Sequence, residues 1–201
     1  EQWFNKLNSK YEASSNFINY NTELRKLIYH EQFHIFQRYN PKLMEELYIK
    51  YWNLERLNVK LPNKLLNINR TNPDALPDNK NHWLFRINEN KYILPLCIYN
   101  SDDDNGIRNT SNICIFVNKK NNKFVFEDLD EQIKNKNLLN NNREYTDFFG
   151  SVYVNGGNNY HPNELSASIF ETIVEDVVKK NNSEDFPAYN QMLKFFKDNG
   201  L

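Results

Sequence analysis

The hydrophobic period of this chain changes twice along its length, and that alternation restricts its architecture more than any other feature. From about Asn21 to Tyr39, the residues Leu24, Leu27, Ile28, Ile35 and Phe36 recur at helical spacing, and from Pro41 onward Leu43, Leu47, Tyr51, Leu54 and Leu57 make a second helical stripe. Asn40 divides the two, because the residue before a proline is pushed out of the helical region while Pro41 suits the first position of a new helix. The stretch "KLPNKLLNINRTNPDALPDNKN", 60–81, has no sustained period and reads as a long loop. Short β-branched and aromatic runs follow: "HWLFRIN", "KYILPLCIYN", "NICIFVNKK" and "KFVFED", parted by turn residues in the manner of an antiparallel meander. "FFGSVYVN" is expected to add a further strand before the turn "GGNN", and helical spacing returns at about Pro162–Lys180 and Ser183–Asp198. Two N-terminal helices, an antiparallel sheet and two C-terminal helices define an α+β fold. With 201 residues and no Gly/Ser-rich or Pro-rich linker, 1–201 is expected to form a single domain.

Charge narrows the function classes. The net charge is -1, and the lysines are interspersed with acids and asparagines, so no extended positive field is offered to nucleic acid or anionic lipid. No apolar run approaches the roughly 18 to 20 residues that span a bilayer. The chain begins at Glu1 without Met, which fits removal of an N-terminal segment and makes a secreted or extracytoplasmic location the expectation ahead of a cytoplasmic one. Sequons at Asn69, Asn109 and Asn181 add little in so Asn-rich a sequence. Cys97 and Cys114 fall in neighbouring strands, and both a disulfide and two buried thiols are compatible with that placement. "SDDDNG", 101–106, fails as a calcium loop: aligned on Gly106, an EF-hand needs an acid at position 101 and Glu at position 112, where the chain has Ser101 and Asn112.

Chemistry concentrates in "HEQFH", His30 to His34. In a chain with four histidines, H-E-x-x-H arises by chance in fewer than about one case in a hundred. Residues four apart on a helix are separated by about 40° around its axis, so His30 and His34 can turn imidazole nitrogens toward one ion. Glu31 stands about 100° from His30, outside the same coordination shell but within reach of a water there, which is the place of a general base. The metzincin continuation is excluded, since it requires Gly at position 37 and His at position 40, where this chain has Gln37 and Asn40. Zinc commonly takes a third protein ligand, and the candidates lie in "YHPNELSASIFE": Glu164, in the first turn of a helix opened by Pro162, and His161 just outside it.

H-E-x-x-H followed far downstream by "NELSA" at the start of another helix resembles the gluzincin metallopeptidases. The pair "HEQFHIFQ" and "HPNELSASIF" is also similar to small uncharacterised zincin-like proteins in which an "HPxE" helix follows the sheet. The resemblance covers about 45 residues of the two motif helices, and the order of parts differs, because the gluzincin sheet usually precedes the first zinc helix. It implies that Glu164 is the third ligand. Four residues further on, where the gluzincin pattern has an Asp that steadies a zinc-bound His, this chain has Ser168; Glu171, one turn beyond, is the other group able to supply a carboxylate. Tyr160 or His161 is suited to steadying an oxyanion.

The expectation is a zinc-dependent hydrolase with one Zn2+ per chain, a metallopeptidase in which Glu31 activates a zinc-bound water against a peptide or protein substrate. The alternative is a non-catalytic zincin-fold module that binds a peptide or protein without cutting it.

Overall fold

The structure is a computed structural model that describes residues 15–70, 82–100, 110–155, 159–179 and 184–201, with side chains in the first helix from residue 22 onward. Half of the expected long loop (71–81), the acidic turn at 101–106, the Gly pair of "GGNN", the sequons at Asn109 and Asn181 and the expected helix start at Ser183 lie outside the described residues.

The first helix, α1 (Ser15–Tyr39), ends where Pro41 dictates: the Asn40 N–H and side-chain amide both donate to the Phe36 carbonyl, at 3.0 and 2.9 Å. Pro41 then opens α2 (Pro41–Glu46), which widens into one π-helical turn, Leu47–Tyr51. The second helix was expected to reach Leu57 and does not. Asn53 takes a positive φ of 53°, which reverses the chain, and Leu54–Arg56 forms strand β1. Leu54 and Leu57 are buried as that stripe required, but Leu54 does so opposite Phe85 in a sheet.

After the short helix α3 (Asn63–Leu66) come β2 (Trp83–Arg86), β3 (Lys91–Tyr99), β4 (Thr110–Lys120) and β5 (Lys123–Val125). The five strands form an antiparallel sheet in the order β1-β2-β3-β4-β5, the expected meander with one extra strand at its start. Both faces are covered. Phe85, Ile93, Cys97 and Cys114 face the helical core, while Leu84, Leu94, Leu96, Ile113 and Ile115 pack beneath Leu57, Leu61 and Leu65. That explains the unbroken apolar run of β3, where a one-sided strand would alternate. Cys97 and Cys114 are free and buried; the register sets Cys114 opposite Pro95 and Cys97 opposite Asn112.

The segment expected as a fifth strand, 148–155, is helical. It runs from the end of α5 (Arg143–Phe149) through α6 (Ser151–Val154), and α4 (Leu129–Asn135) precedes both where no helix was expected. Tyr145, Phe149 and Tyr153 are buried at intervals of four, a helical stripe, while Val152 is 76% exposed where an alternating strand had no reason to leave it. Asn142 accepts from the Tyr145 N–H at 2.9 Å and caps α5. The C-terminal pair is present as α7 (Pro162–Lys179) and α8 (Pro187–Asp198), but the last helix begins later than expected: residues 184–186 are not helical, and extended Phe186 precedes Pro187, which takes the first helical position. The α+β arrangement therefore holds, with eight α-helices and five strands among the described residues.

Gly150 permits the break between α5 and α6. Its φ is +82° with ψ 125°, and a Cβ there would stand 3.0 Å from Tyr153 Cδ2 and 3.2 Å from Phe186 Cδ1. Gly150→Ala is expected to lower stability by about 1–3 kcal/mol, the cost of that backbone region for a residue with a Cβ. Chemical denaturation measures it, and an unchanged midpoint would contradict the strained geometry.

Candidate metal centre

Two helices distant in sequence build the centre. α1 and α7 run antiparallel, and their partners fall in reverse order: Arg25 with Glu175 at 3.3 Å, His30 with Glu171 at 2.5 Å, His34 with Glu164 at 3.5 Å, and Gln37 with the Asn163 carbonyl at 2.9 Å. Beside this polar row, Phe33 stacks on Phe170 with ring centroids 4.5 Å apart, and Phe196 of α8 closes edge-on against both. The buried side of α1 is thus not its most apolar one. Leu24, Leu27, Ile28 and Ile35 are exposed, while His34 and Gln37 are buried to 3% and 1% exposure.

The three expected ligands converge. One atom from each of His30, His34 and Glu164 lies within 4.8 Å of the others. Glu164 sits in the first turn of α7, where the positive end of the helix dipole favours a carboxylate, and it is 4% exposed. His30 Nε2 is 3.3 Å from Glu164 Oε2, and His34 Nε2 is 3.5 Å from Glu164 Oε1. Two atoms bound to zinc at its usual distance, with a tetrahedral angle between them, stand about 3.3–3.4 Å apart. The two separations, one to each oxygen of Glu164, are close to that value, and a donor set of two imidazoles and a carboxylate could hold such a metal ion.

The surroundings favour positive charge. Burial works against a charged His30 ring, but hydrogen bonds to Glu164 and Glu171 and the charge of both carboxylates outweigh it and hold its pKa at about 9. Burial also opposes charge on His34, and again the hydrogen bonds to Glu164 and Gln37 prevail, so that its pKa is raised. The feature that draws protons to these rings, a buried carboxylate pointing between them, is the one that draws a cation.

The remaining candidates divide. Glu171 reaches the second nitrogen of His30, Nδ1, at 2.5 Å, the place of a carboxylate able to orient that ring. Ser168 does not touch either His; its Oγ stands 3.5 Å from Asn159 Oδ1. His161 is outside the converging group: its Nδ1 accepts from the Asn163 N–H at 3.2 Å, capping α7, and burial pulls its pKa down to about 4. Tyr160 donates to the Arg70 carbonyl at 3.2 Å. Glu31 is solvent-exposed on α1, next to His30 in sequence and outside the metal group. Gln37 was overlooked as part of the site; its position three residues after His34, on the same side of the helix, was the available signal.

No family model, curated protein or solved structure matches this chain.

The geometry separates two groups that the sequence left as alternatives. Glu171→Gln keeps an acceptor at His30 but removes its charge, and zinc affinity is expected to fall about tenfold, whereas Ser168→Asp is expected to leave it unchanged. Competition titration against a chelator reads both, and the opposite pattern would contradict the assignment of Glu171 to His30.

Proposed function

We propose that the chain is a zinc-dependent hydrolase acting on peptide bonds, with His30, His34 and Glu164 holding the ion. The observation that carries this reading is the convergence of those three donors, within 4.8 Å of one another, from helices more than 120 residues apart in sequence. A surface ion pair has no need of three buried or half-buried ligands, nor of an acceptor behind each imidazole. Bound zinc would supply Lewis acidity, activating a water and polarising a carbonyl. Glu31 Oε would accept the proton of the attacking water and return it to the departing amide nitrogen. Its exposure suits that task, since a base must be open to water and substrate in a way that a structural ligand need not be. The motif pair that resembles the gluzincins supports the same reading, with the sheet between the two helices as a difference.

A second reading, a zincin-fold module that holds a peptide or protein without cutting it, is favoured by one feature. Leu24, Leu27, Ile28, Ile35 and Tyr39 are exposed on the side of α1 that carries Glu31. That row suits apolar side chains of a peptide whether or not the peptide is cleaved, so turnover decides between the readings. No described helix is long and apolar enough to cross a membrane.

Purified protein is expected to carry about one zinc per chain, lost in His34→Ala because a third of the protein ligands is gone. Equal metal in both forms would contradict the site. On a mixed peptide library, Glu31→Gln is expected to keep zinc and fold while turnover drops by a factor on the order of a hundred or more. Full activity in that variant would remove Glu31 as the base, and no turnover by the wild-type protein would favour the binding module.

A further inference from the structure

We propose that Gln37 is a positioning residue that decides which nitrogen of His34 is presented to the metal. The inference rests on the metal-site reading above, but its core is a chain of hydrogen-bond constraints that begins in the backbone of α7.

The side-chain amide of Gln37 is almost completely enclosed and meets groups on both sides. On one side Nε2 is 2.9 Å from the main-chain oxygen of Asn163 and 2.9 Å from Ser166 Oγ; on the other, Oε1 is 2.8 Å from His34 Nδ1. A main-chain carbonyl can only accept, so the part of the amide that faces Asn163 O must be the NH2 group. The oxygen therefore faces His34, and an amide oxygen also only accepts. His34 Nδ1 must then carry a proton. A neutral imidazole has one N–H, so Nε2 is left with its lone pair, which suits a cation shared with Glu164 Oε1 at 3.5 Å; without a cation the same carboxylate competes for a proton on Nε2.

Neutral histidine in water prefers the proton on Nε2, the arrangement that would turn an N–H toward a cation. Something must impose the other tautomer. At His30 the Glu171 carboxylate can do so; at His34 the acceptor is an amide, which could in principle turn over and donate instead. The surroundings forbid that turn. Ser166 Oγ donates to Asn163 O at 3.1 Å, and Tyr48 Oη donates to Asn163 Oδ1 at 3.0 Å and lies 3.1 Å from Ser166 Oγ. Gln37, Tyr48, Asn163 and Ser166 are each no more than 1% exposed, so no water can compensate a reversed amide. Reversal would set Gln37 Oε1 against the Asn163 carbonyl, two acceptors with no proton between them. Asn163 also precedes Glu164, so one contact sets the His34 tautomer and anchors the turn that carries the carboxylate ligand.

The test needs no metal for its first part. In metal-free Glu164→Ala protein at alkaline pH, where the rings are neutral and no carboxylate competes for a proton on Nε2, long-range 1H–15N correlation of the imidazole nitrogens is expected to show His34 protonated at Nδ1 and bare at Nε2. Adding Gln37→Leu should abolish that preference, and Gln37→Leu alone should lower zinc affinity about tenfold to a hundredfold, with the helical circular dichroism retained. Gln37→Glu still offers an oxygen to Nδ1 and should keep the tautomer, so the inference stays testable if the Leu variant fails to fold. In the Glu164→Ala background, a His34 with its proton on Nε2, or a tautomer unchanged by Gln37→Leu, would overturn it. The Nδ1–H form in that background together with a wild-type protein that takes up no zinc would overturn the metal-site reading alone.

Discussion

The antiparallel contact between α1 and α7 is the constraint on which the rest of the molecule depends. It places a helix near the start of the chain against one near its end, and along its length it must bury ionisable groups from both. Such burial is costly unless each charge or polar atom finds a partner. Here the partners are supplied in order along the seam, from the Arg25–Glu175 ion pair, through the histidine and carboxylate group, to the amide of Gln37. The stacked Phe33 and Phe170 lie beside that row and contribute the apolar burial that the polar row lacks.

The other elements hold this pair in place. Trp52, at the end of the π turn, is fully buried and donates from its indole to the Ala188 carbonyl at 3.1 Å, joining the second N-terminal helix to α8. α8 in turn presents Phe196 to the Phe33–Phe170 stack. The sheet contributes Phe85, which meets Tyr145, Phe148 and Phe149 of α5, and so binds the meander to the helical layer. The effect of these residues on the site is to fix the packing of α7 and α8, and through it the approach of Glu164 to His30 and His34.

Much of this was legible in the sequence, and the parts that were not have identifiable causes. The spacing of His30 and His34 and the opening of α7 at Pro162 are local signals, and the α+β order follows from the changes of period. The π turn and Asn53 were not visible, because Leu54 and Leu57 continue the helical spacing of Leu43 and Leu47 and only the observed positive φ breaks it. "FFGSVYVN" is rich in aromatic and β-branched residues, yet Tyr145, Phe149 and Tyr153 bury at helical intervals, so tertiary packing overrode propensity. The apolar spacing of α1 joined Leu24, Leu27, Ile28, Ile35 and Phe36, whereas the helix buries Phe33, His34 and Gln37, half-buries His30 and leaves all of that stripe but Phe36 exposed. A period locates a helix face but does not say which face a polar cluster on a distant helix will claim. The contact of Glu171 with His30, and that of Gln37 with α7, depend on such a pairing and could be weighed from sequence only as alternatives or not at all.

The central claim is that His30, His34 and Glu164 hold one metal ion between α1 and α7. Its most direct test is a crystal structure of the zinc-loaded protein with anomalous data collected on both sides of the zinc absorption edge. The account predicts a single anomalous peak at about 2.0–2.1 Å from Nε2 of both histidines and within about 2.2 Å of a Glu164 oxygen. A peak elsewhere, ligation through Nδ1 of either histidine, or no peak at that position would contradict it.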